Sequence, residues 1–169
     1  KNIIECQSLH DEVIAGTATA GIPWGSLVAG DLHRPFIYVR DTPKDHGMRK
    51  RIEGIGSSQN LEGKTVVLIE DLISTGESAV RAVQAVRDAN GNCRYCLSLF
   101  NYGFDEGAAA FKKLDPSCEV ASLLTYDTLI QVAKETQHFS AEQLMMVEEW
   151  RADPFNWGEK HGFPKVEKK

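Results

Sequence analysis

The sequence predicts an α/β fold in which a mainly parallel, twisted sheet is flanked by helices. Short apolar segments alternate along the chain with segments whose apolar residues repeat at helical spacing. Turn residues separate these segments, and 169 residues are enough for one domain with a single core. Because a helix that joins two strands can bring them into parallel alignment, this alternation favours a parallel sheet covered on both faces.

Five segments are predicted as strands, because each is a short apolar run between turn signals. They are Glu12–Gly16, Pro35–Arg40, Thr65–Asp71, Cys93–Phe100 and Glu119–Tyr126. Helices are predicted over Pro23–Leu32, Glu77–Asn90 and Asp105–Leu114, and two further C-terminal helices over 126–153. Near the start of the last helix, Ser140 precedes Gln143 by three residues, which is the pattern of a capping box.

One long segment, Thr42–Lys64, interrupts the alternation. It has little apolar periodicity, contains four glycines, and carries six charged or titratable side chains close together: Lys44, Asp45, His46, Arg49, Lys50 and Arg51. Loops of this length inside a compact domain are usually functional or disordered. The mixture of cations with glycine predicts a long, mobile catalytic loop over 42–64 that closes on an anion, and the alternative is a solvated surface excursion.

Charge and cysteine content argue against several classes of protein. The formal net charge of -5 argues against broad binding to nucleic acid or to a membrane surface, since both favour basic proteins. No apolar run is long enough to span a membrane. Cys93 and Cys96 have no second pair of ligands at zinc spacing, so we expect buried thiols and no metal site built from the chain alone. Free thiols suit a reducing, cytoplasmic location.

The stretch VVLIEDLISTGES, which begins at Val66, combines an apolar strand with an acidic pair and a turn of small hydroxyl residues. Backbone N–H groups and the dipole at the start of the following helix favour a phosphate there. Glu70 and Asp71 would repel a phosphate, so they are better placed as acceptors for a sugar diol or as ligands, direct or through water, of Mg²⁺. The residues therefore predict a ribose 5-phosphate site, and the alternative is an acidic segment that merely starts a helix.

This stretch closely resembles the 5-phosphoribosyl 1-pyrophosphate (PRPP) motif of type I phosphoribosyltransferases, whose sheet is Rossmann-like. A second stretch, YVRDTPKDHG, is similar to the R-x-x-x-K-D-H-G loop of orotate phosphoribosyltransferases. With TAGIP, KRIEG and EEWRADPFNW, the resemblance extends over nearly the whole chain, taken as a single domain over 1–169. The chain opens in a helix-like pattern without a start signal, so we expect N-terminal residues to be missing, among them the hood that covers the pyrimidine in this family.

The resemblance implies transfer of the phosphoribosyl group from PRPP to orotate, giving orotidine 5′-monophosphate and pyrophosphate with Mg²⁺ in pyrimidine (UMP) biosynthesis. It assigns catalytic roles to Lys44, His46 and Asp71, and pyrophosphate contacts to Arg40, Lys44 and His46. Glu70 and Asp71 would hold the ribose hydroxyls, and Ser74 would also lie near orotate. The 5′-phosphate would be held by Leu72, Ile73, Ser74, Thr75, Gly76, Glu77 and Ser78. The family also implies a homodimer whose basic loop acts on the neighbouring subunit.

Several positions depart from the best-known members of that family. Asp41 stands where some members carry a lysine, Thr19-Ala20 replaces a Tyr-Lys pair, and FNYGF replaces a segment with an orotate-binding arginine. Two alternatives share the fold: a regulator that binds PRPP or a nucleotide without catalysis, and a transferase for another base. Such regulators tend to lose the basic loop, so the retained Arg40, Lys44 and His46 favour the enzyme.

Overall fold

The computed structural model describes residues 12–41, 51–56 and 60–164. Its contacts divide the chain into two compact units, Lys1–Tyr126 and Asp127–Lys169. Residues 42–50 and 57–59 of the predicted catalytic loop lie outside the described part, as do residues 1–11 and 165–169. The single domain over 1–169 and the absent hood stay predictions.

The first unit is built on a six-stranded sheet in the order β3-β2-β1-β4-β5-β6. All neighbouring strands are parallel except β3, which pairs antiparallel with β2 at one edge. The strands are β1 (Val13–Thr17), β2 (Phe36–Val39), β3 (Ile52–Glu53), β4 (Thr65–Ile73), β5 (Asn92–Asn101) and β6 (Glu119–Thr125). This arrangement confirms the predicted α/β fold with a mainly parallel sheet.

Helices follow the parallel strands as the alternation predicted. Those of the first unit are α1 (Gly21–Leu32), α2 (Glu77–Asp88) and α3 (Asp105–Lys112), and α4 (Tyr126–Glu135) begins at its last residue. The second unit continues with α5 (Ala141–Ala152) and α6 (Trp157–Lys160). At the start of α5, the Ser140 hydroxyl accepts from the Gln143 N–H and the Gln143 side chain accepts from the Ser140 N–H, which confirms the capping box. None of the described helices is long and apolar enough to cross a membrane.

The sheet separates two apolar clusters. The larger one packs β4 residues such as Val66 and Leu68 against Val83 and Val86 of α2. The smaller one joins Val67 and Ile69 of the same strand to residues of α1. Because successive side chains of a strand point to opposite faces, the continuous apolar run of β4 serves both clusters at once. Burial of both faces is therefore the reason that this run is not amphipathic. Three thiols, those of Cys93, Cys96 and Cys118, are buried and free, in agreement with the prediction for the first two.

Most element boundaries differ from the sequence prediction by one or two residues, and two differences bear on the site. β4 was expected to end at Asp71, but it continues to Ile73 because Leu72 and Ile73 pair with β5. The segment expected to be loop over 42–64 contains β3, which pairs Ile52 with Val39 and buries the Ile52 side chain. A strand of two residues has no periodicity to detect, and only its partner on the sheet stabilises it.

Candidate active site

A cavity of about 210 Å³ lies where β4 passes into α2, beyond the carboxyl end of the strand. One water needs about 10–15 Å³ measured in this way, so the cavity has room for a phosphate group and its waters. It is lined by Glu70, Leu72, Ile73, Ser74, Thr75, Gly76, Glu77, Ser78, Ala79 and Arg81. The carboxyl edge of a parallel sheet is the usual place for ligands in folds of this kind. The cavity therefore coincides with the predicted phosphate cradle.

The turn that forms the cavity depends on Gly76. This residue is the N-cap of α2 and adopts a left-handed conformation with φ of 74°, which glycine accepts without steric cost. A glycine also provides no side-chain cap, and the first N–H groups of a helix have no partner within the helix. Glu77, Ser78 and Ala79 of that first turn line the cavity. The local sequence thus leaves backbone donors and the positive end of the helix dipole for an anion.

A second glycine, Gly107 of α3, lets that helix approach the turn from outside. A Cβ atom built on Gly107 would lie 2.7 Å from the Ser74 carbonyl oxygen, which is closer than real contacts of this kind. The Phe111 ring of the same helix lies 3.1 Å from the corresponding position on Gly76. Helix α3 therefore supports the cradle by direct packing. Sequence reasoning did not identify Gly107, since a glycine beside three alanines reads as an ordinary helix position.

Glu70 is buried in the cavity wall, with 5% of its surface exposed. Its Oε1 atom accepts hydrogen bonds from the Thr17 hydroxyl of β1 at 2.5 Å and from the Asp71 N–H at 3.1 Å. Burial raises the pKa of the Glu70 carboxyl to about 7, the Asp71 side chain adds to the rise, and the Thr17 hydroxyl opposes it. Neutral and ionised forms are therefore both populated near neutral pH, and this carboxyl can accept or donate a hydrogen bond.

Glu70 belongs to a row of buried and half-buried polar residues on neighbouring strands of the sheet. Glu70 pairs in register with Ser98 of β5, and Ser98 pairs with Ser122 of β6. The Ser98 and Ser122 hydroxyls are hydrogen-bonded at 2.8 Å, and Ser98 is 3% exposed. Buried polar groups are costly unless they are paired, and here they are bonded in two pairs, Thr17 with Glu70 and Ser98 with Ser122. The sequence signal for it was a hydroxyl residue at the carboxyl-terminal end of β1, one within β5 and one in the middle of β6.

The structure brings most of the predicted PRPP-binding residues together. Glu70 and the whole of Leu72–Ser78 line the cavity. Asp71 is half-buried next to Glu70, and its side chain interacts with the Glu70 carboxyl, but it is not among the described lining residues. Arg40 lies beside a separate narrow cleft that also includes Thr17, Asp41 and Ser78. Lys44 and His46 lie outside the described residues, so their predicted roles stay predictions.

The base of the segment that carries Lys44 is fixed by Arg51. The Arg40 N–H donates to the Arg51 carbonyl at 2.7 Å, and the Arg51 guanidinium donates to the Asp41 carbonyl at 3.1 Å. Residues 40, 41 and 51 are thus joined by both backbone and side-chain hydrogen bonds. Arg40 and Asp41 are held at the edge of the sheet near the start of α2.

The carboxyl groups of this site fit a Mg²⁺ ion that takes most of its other ligands from a bound substrate and from water. Glu70 and Asp71 supply two neighbouring carboxyl groups, and the described residues contain no group of three or more side chains able to hold a metal. Mg²⁺ is commonly bound by one or two carboxylates, several waters and substrate phosphates rather than by a cage of side chains. Two carboxyls beside a phosphate cradle meet that requirement.

Comparison with known proteins agrees with this site. Residues 1–121 match the family described as the phosphoribosyl transferase domain, which is well over half of the chain. The chain therefore belongs to the phosphoribosyltransferase family. The cavity, its glycine N-cap and the buried Glu70 all lie within the matched residues.

Within that family, the chain is similar to orotate phosphoribosyltransferases, as the sequence motifs indicated. It is 42% identical to that of Lactiplantibacillus plantarum over 156 residues, which is 92% of this chain and 71% of the relative. It is 41% identical to that of Bacteroides fragilis over 146 residues, which is 86% of this chain and 66% of the relative. The chain thus spans about two thirds of the length of these relatives.

Solved structures show the same fold. The crystal structure of orotate phosphoribosyltransferase from Aeropyrum pernix superposes with a TM-score of 0.61 at 24% identity, covering 77% of this chain and 67% of that one. Leishmania donovani UMP synthase superposes with a TM-score of 0.64 at 25% identity, covering 84% of this chain and 29% of that one.

Proposed function

We propose that this protein transfers the 5-phosphoribosyl group from PRPP to orotate, giving orotidine 5′-monophosphate and pyrophosphate. The observation that carries the proposal is the cavity at the start of α2 with the Glu70 carboxyl in its wall, in a chain whose relatives are named orotate phosphoribosyltransferases. The reaction would belong to UMP biosynthesis in the cytoplasm.

The cradle would bind the donor by its ribose 5-phosphate part. Backbone N–H groups of the first turn of α2 and the hydroxyls of Ser74, Thr75 and Ser78 would donate to the phosphate. Glu70 and Asp71 would accept from the ribose hydroxyls. Since the Glu70 Oε1 atom is already bonded to Thr17 and to the Asp71 N–H, Oε2 is the Glu70 atom left for the sugar.

Transfer at C1 of the ribose passes through an oxocarbenium-like centre while negative charge develops on the departing pyrophosphate. Arg40, Lys44 and His46 would stabilise that charge, more strongly in the transition state than in the ground state. A basic loop that closes over the substrate would also keep water from PRPP. When bound, Mg²⁺ would neutralise part of the pyrophosphate charge, with Asp71 and Glu70 holding it directly or through water.

The test is an assay of the full-length protein with orotate, PRPP and Mg²⁺, in which orotate depletion is followed together with orotidine 5′-monophosphate formation. Uracil and hypoxanthine serve as alternative acceptors. We expect turnover with orotate and none with the two controls. Turnover with another base alone would replace orotate in the proposal, and PRPP binding without any turnover would support a non-catalytic regulator.

The loop is proposed to act on the neighbouring subunit of a homodimer. We expect Lys44→Ala to lower kcat by about 100-fold, the scale of losing one electrostatic stabiliser of the transition state, while PRPP binding is nearly unchanged. Mixed dimers of Lys44→Ala and Asp71→Asn subunits should recover activity, because one site then contains both native residues. Unchanged kcat in Lys44→Ala would exclude the catalytic role, and mixtures without recovery would exclude action between subunits.

A further inference from the structure

An ion pair joins the edge of the sheet to the cradle helix. Arg81 of α2 donates from Nε to Asp41 Oδ1 at 2.8 Å and from Nη2 to Asp41 Oδ2 at 3.3 Å. This bidentate arrangement fixes the plane of the guanidinium, which a single contact would not do. Asp41 follows β2 and is itself held through its carbonyl by Arg51. Forty positions of sequence separate the two partners, so the pair is a product of the fold.

Arg81 is part of the cavity wall. Side chains of a helix tilt towards its N-terminus, so a long side chain in the second turn extends back over the first turn. Arg81 accordingly lines the cavity together with Glu77 and Ser78. The Arg81 guanidinium therefore lies beside the first turn of α2, next to the place where a phosphate would bind at the start of the helix.

The charges around the cavity give Arg81 a distinct role. Among the described lining residues, Arg81 is the only cation, and Glu70 and Glu77 are the acids. Among the described residues, Asp41 binds Nε and Nη2, whereas the contact of Nη1 is a longer one of 3.5 Å to Glu77 Oε2, whose side chain is 68% exposed. Nη1 is thus the edge of the guanidinium that can bind an incoming anion.

We propose that Arg81 is a further ligand of the PRPP 5′-phosphate, through Nη1, and that Asp41 is the residue that positions its guanidinium. The proposal rests on the proposed function for the identity of the donor substrate. It predicts that a phosphomonoester binds jointly to the backbone donors of the first turn and to one side-chain cation. Arginine suits this role because its planar fork can bind a carboxylate on one edge and a phosphate on another.

If the ion pair between Arg81 and Asp41 were only a surface contact, the variants would behave differently. The side chains of Arg81 and Asp41 are 46% and 49% exposed, and ion pairs this exposed contribute little to stability. Loss of either partner would then change neither folding nor ligand affinity measurably. Ligand affinity therefore separates the two roles, and unfolding of the variants is not expected to interfere.

The experiment measures the affinity of ribose 5-phosphate for the full chain by calorimetry, which needs no catalysis, alongside the KM for PRPP. We expect Arg81→Ala to weaken ribose 5-phosphate about tenfold, as for loss of one charge-assisted hydrogen bond. Arg81→Lys should recover part of the loss. Arg94→Ala is the matched control, because exposed Arg94 lies near the amino-terminal end of β5, away from the cavity, and its removal changes the net charge equally.

The positioning role of Asp41 is tested by a double-mutant cycle. Asp41→Ala should weaken ribose 5-phosphate about threefold in the native protein and have almost no effect once Arg81 is alanine. Equal affinities of Arg81→Ala and Arg94→Ala for ribose 5-phosphate would overturn the ligand role of Arg81. Tighter binding in Asp41→Ala would show that Asp41 competes with the phosphate for Arg81, and would overturn its positioning role. A protein that binds ribose 5-phosphate through Arg81 but gives no nucleotide product would refute the proposed function while leaving this inference intact.

Discussion

Two turns at the carboxyl edge of the sheet have the same length but different structures. β1 ends at Thr17 and α1 begins at Gly21, while β4 ends at Ile73 and α2 begins at Glu77, so three residues join the elements in each case. The first helix is capped by Ala20 in a right-handed conformation with φ of -80°. The second is capped by Gly76 in a left-handed conformation with φ of 74°.

The two turns also differ in the space that they leave. The cleft at Thr17 and Ala18, as formed by the described residues, has no room for a water molecule. The turn at Ser74–Gly76 borders the cavity of about 210 Å³. A Cβ atom built on Gly21 would meet the Ile69 carbonyl oxygen at 2.7 Å, so the start of α1 is packed directly against β4. Small residues can therefore serve opposite purposes, close packing in the first turn and an open cradle in the second.

The largest effect expected from this comparison is on the pH dependence of stability. The buried acid Glu70 lines the cavity beside the second turn, whereas the described lining of the cleft beside the first turn includes no buried acid. Glu70 has a pKa of about 7 in the folded protein against an ordinary 4.5. The folded state thus favours the protonated form, and the stability that this gives is fully present below pH 4.5 and is lost as pH rises through 7. We expect the free energy of unfolding to fall by roughly 2.5 kcal/mol between pH 5 and 8 from this residue alone.

Urea denaturation of the native protein and of Glu70→Gln at both pH values measures this contribution. The glutamine cannot titrate, so the difference between the two proteins isolates Glu70 from other titrating groups. Parallel pH profiles for the two would mean that the Glu70 pKa is not raised in the folded state.

The support of the open turn by α3 is tested by Gly107→Ala. The added Cβ would lie 2.7 Å from the Ser74 carbonyl oxygen, so either the cradle or α3 must shift. We expect a loss of about 2 kcal/mol in the free energy of unfolding, together with weaker ribose 5-phosphate binding. The matched control is Gly30→Ala in α1, where a Cβ meets nothing within 4 Å and helix propensity should give a small gain. If both variants behaved alike, α3 would not be supporting the cradle.

The smallest effect concerns the hydrogen bond that links β1 to β4 near the two turns. Thr17→Val removes the hydroxyl that donates to Glu70 while keeping the shape of the side chain. We expect a loss of about 1 kcal/mol, greater at pH 8 than at pH 5, because the bond is stronger to an ionised carboxyl. Thr17→Ser retains the hydroxyl and should restore most of the stability, as measured by the same denaturation. A loss independent of pH would assign the effect to packing.

Much of the fold could be predicted because its signals are local. The alternation of apolar segments with helical patterns indicated the five parallel strands and their helices, and Ser140 with Gln143 indicated the capping box. β3 was not predicted, since two residues carry no period and Ile52 is buried only through its pairing with β2. The end of β4 was placed two residues early because charged residues usually mark the end of a strand, whereas pairing with β5 extends it.

The sequence by itself determined the α/β fold and the positions of the predicted phosphate cradle and of the acidic pair, because each depends on residues that are neighbours in the chain. Only the tertiary structure decided that Thr17 donates to Glu70, that Gly107 supports the cradle and that Asp41 orients Arg81. These contacts join residues that are dozens of positions apart, and no spacing in the chain encodes them. They arise because parallel strands bring their carboxyl ends to one edge, where distant turns meet around a single cavity.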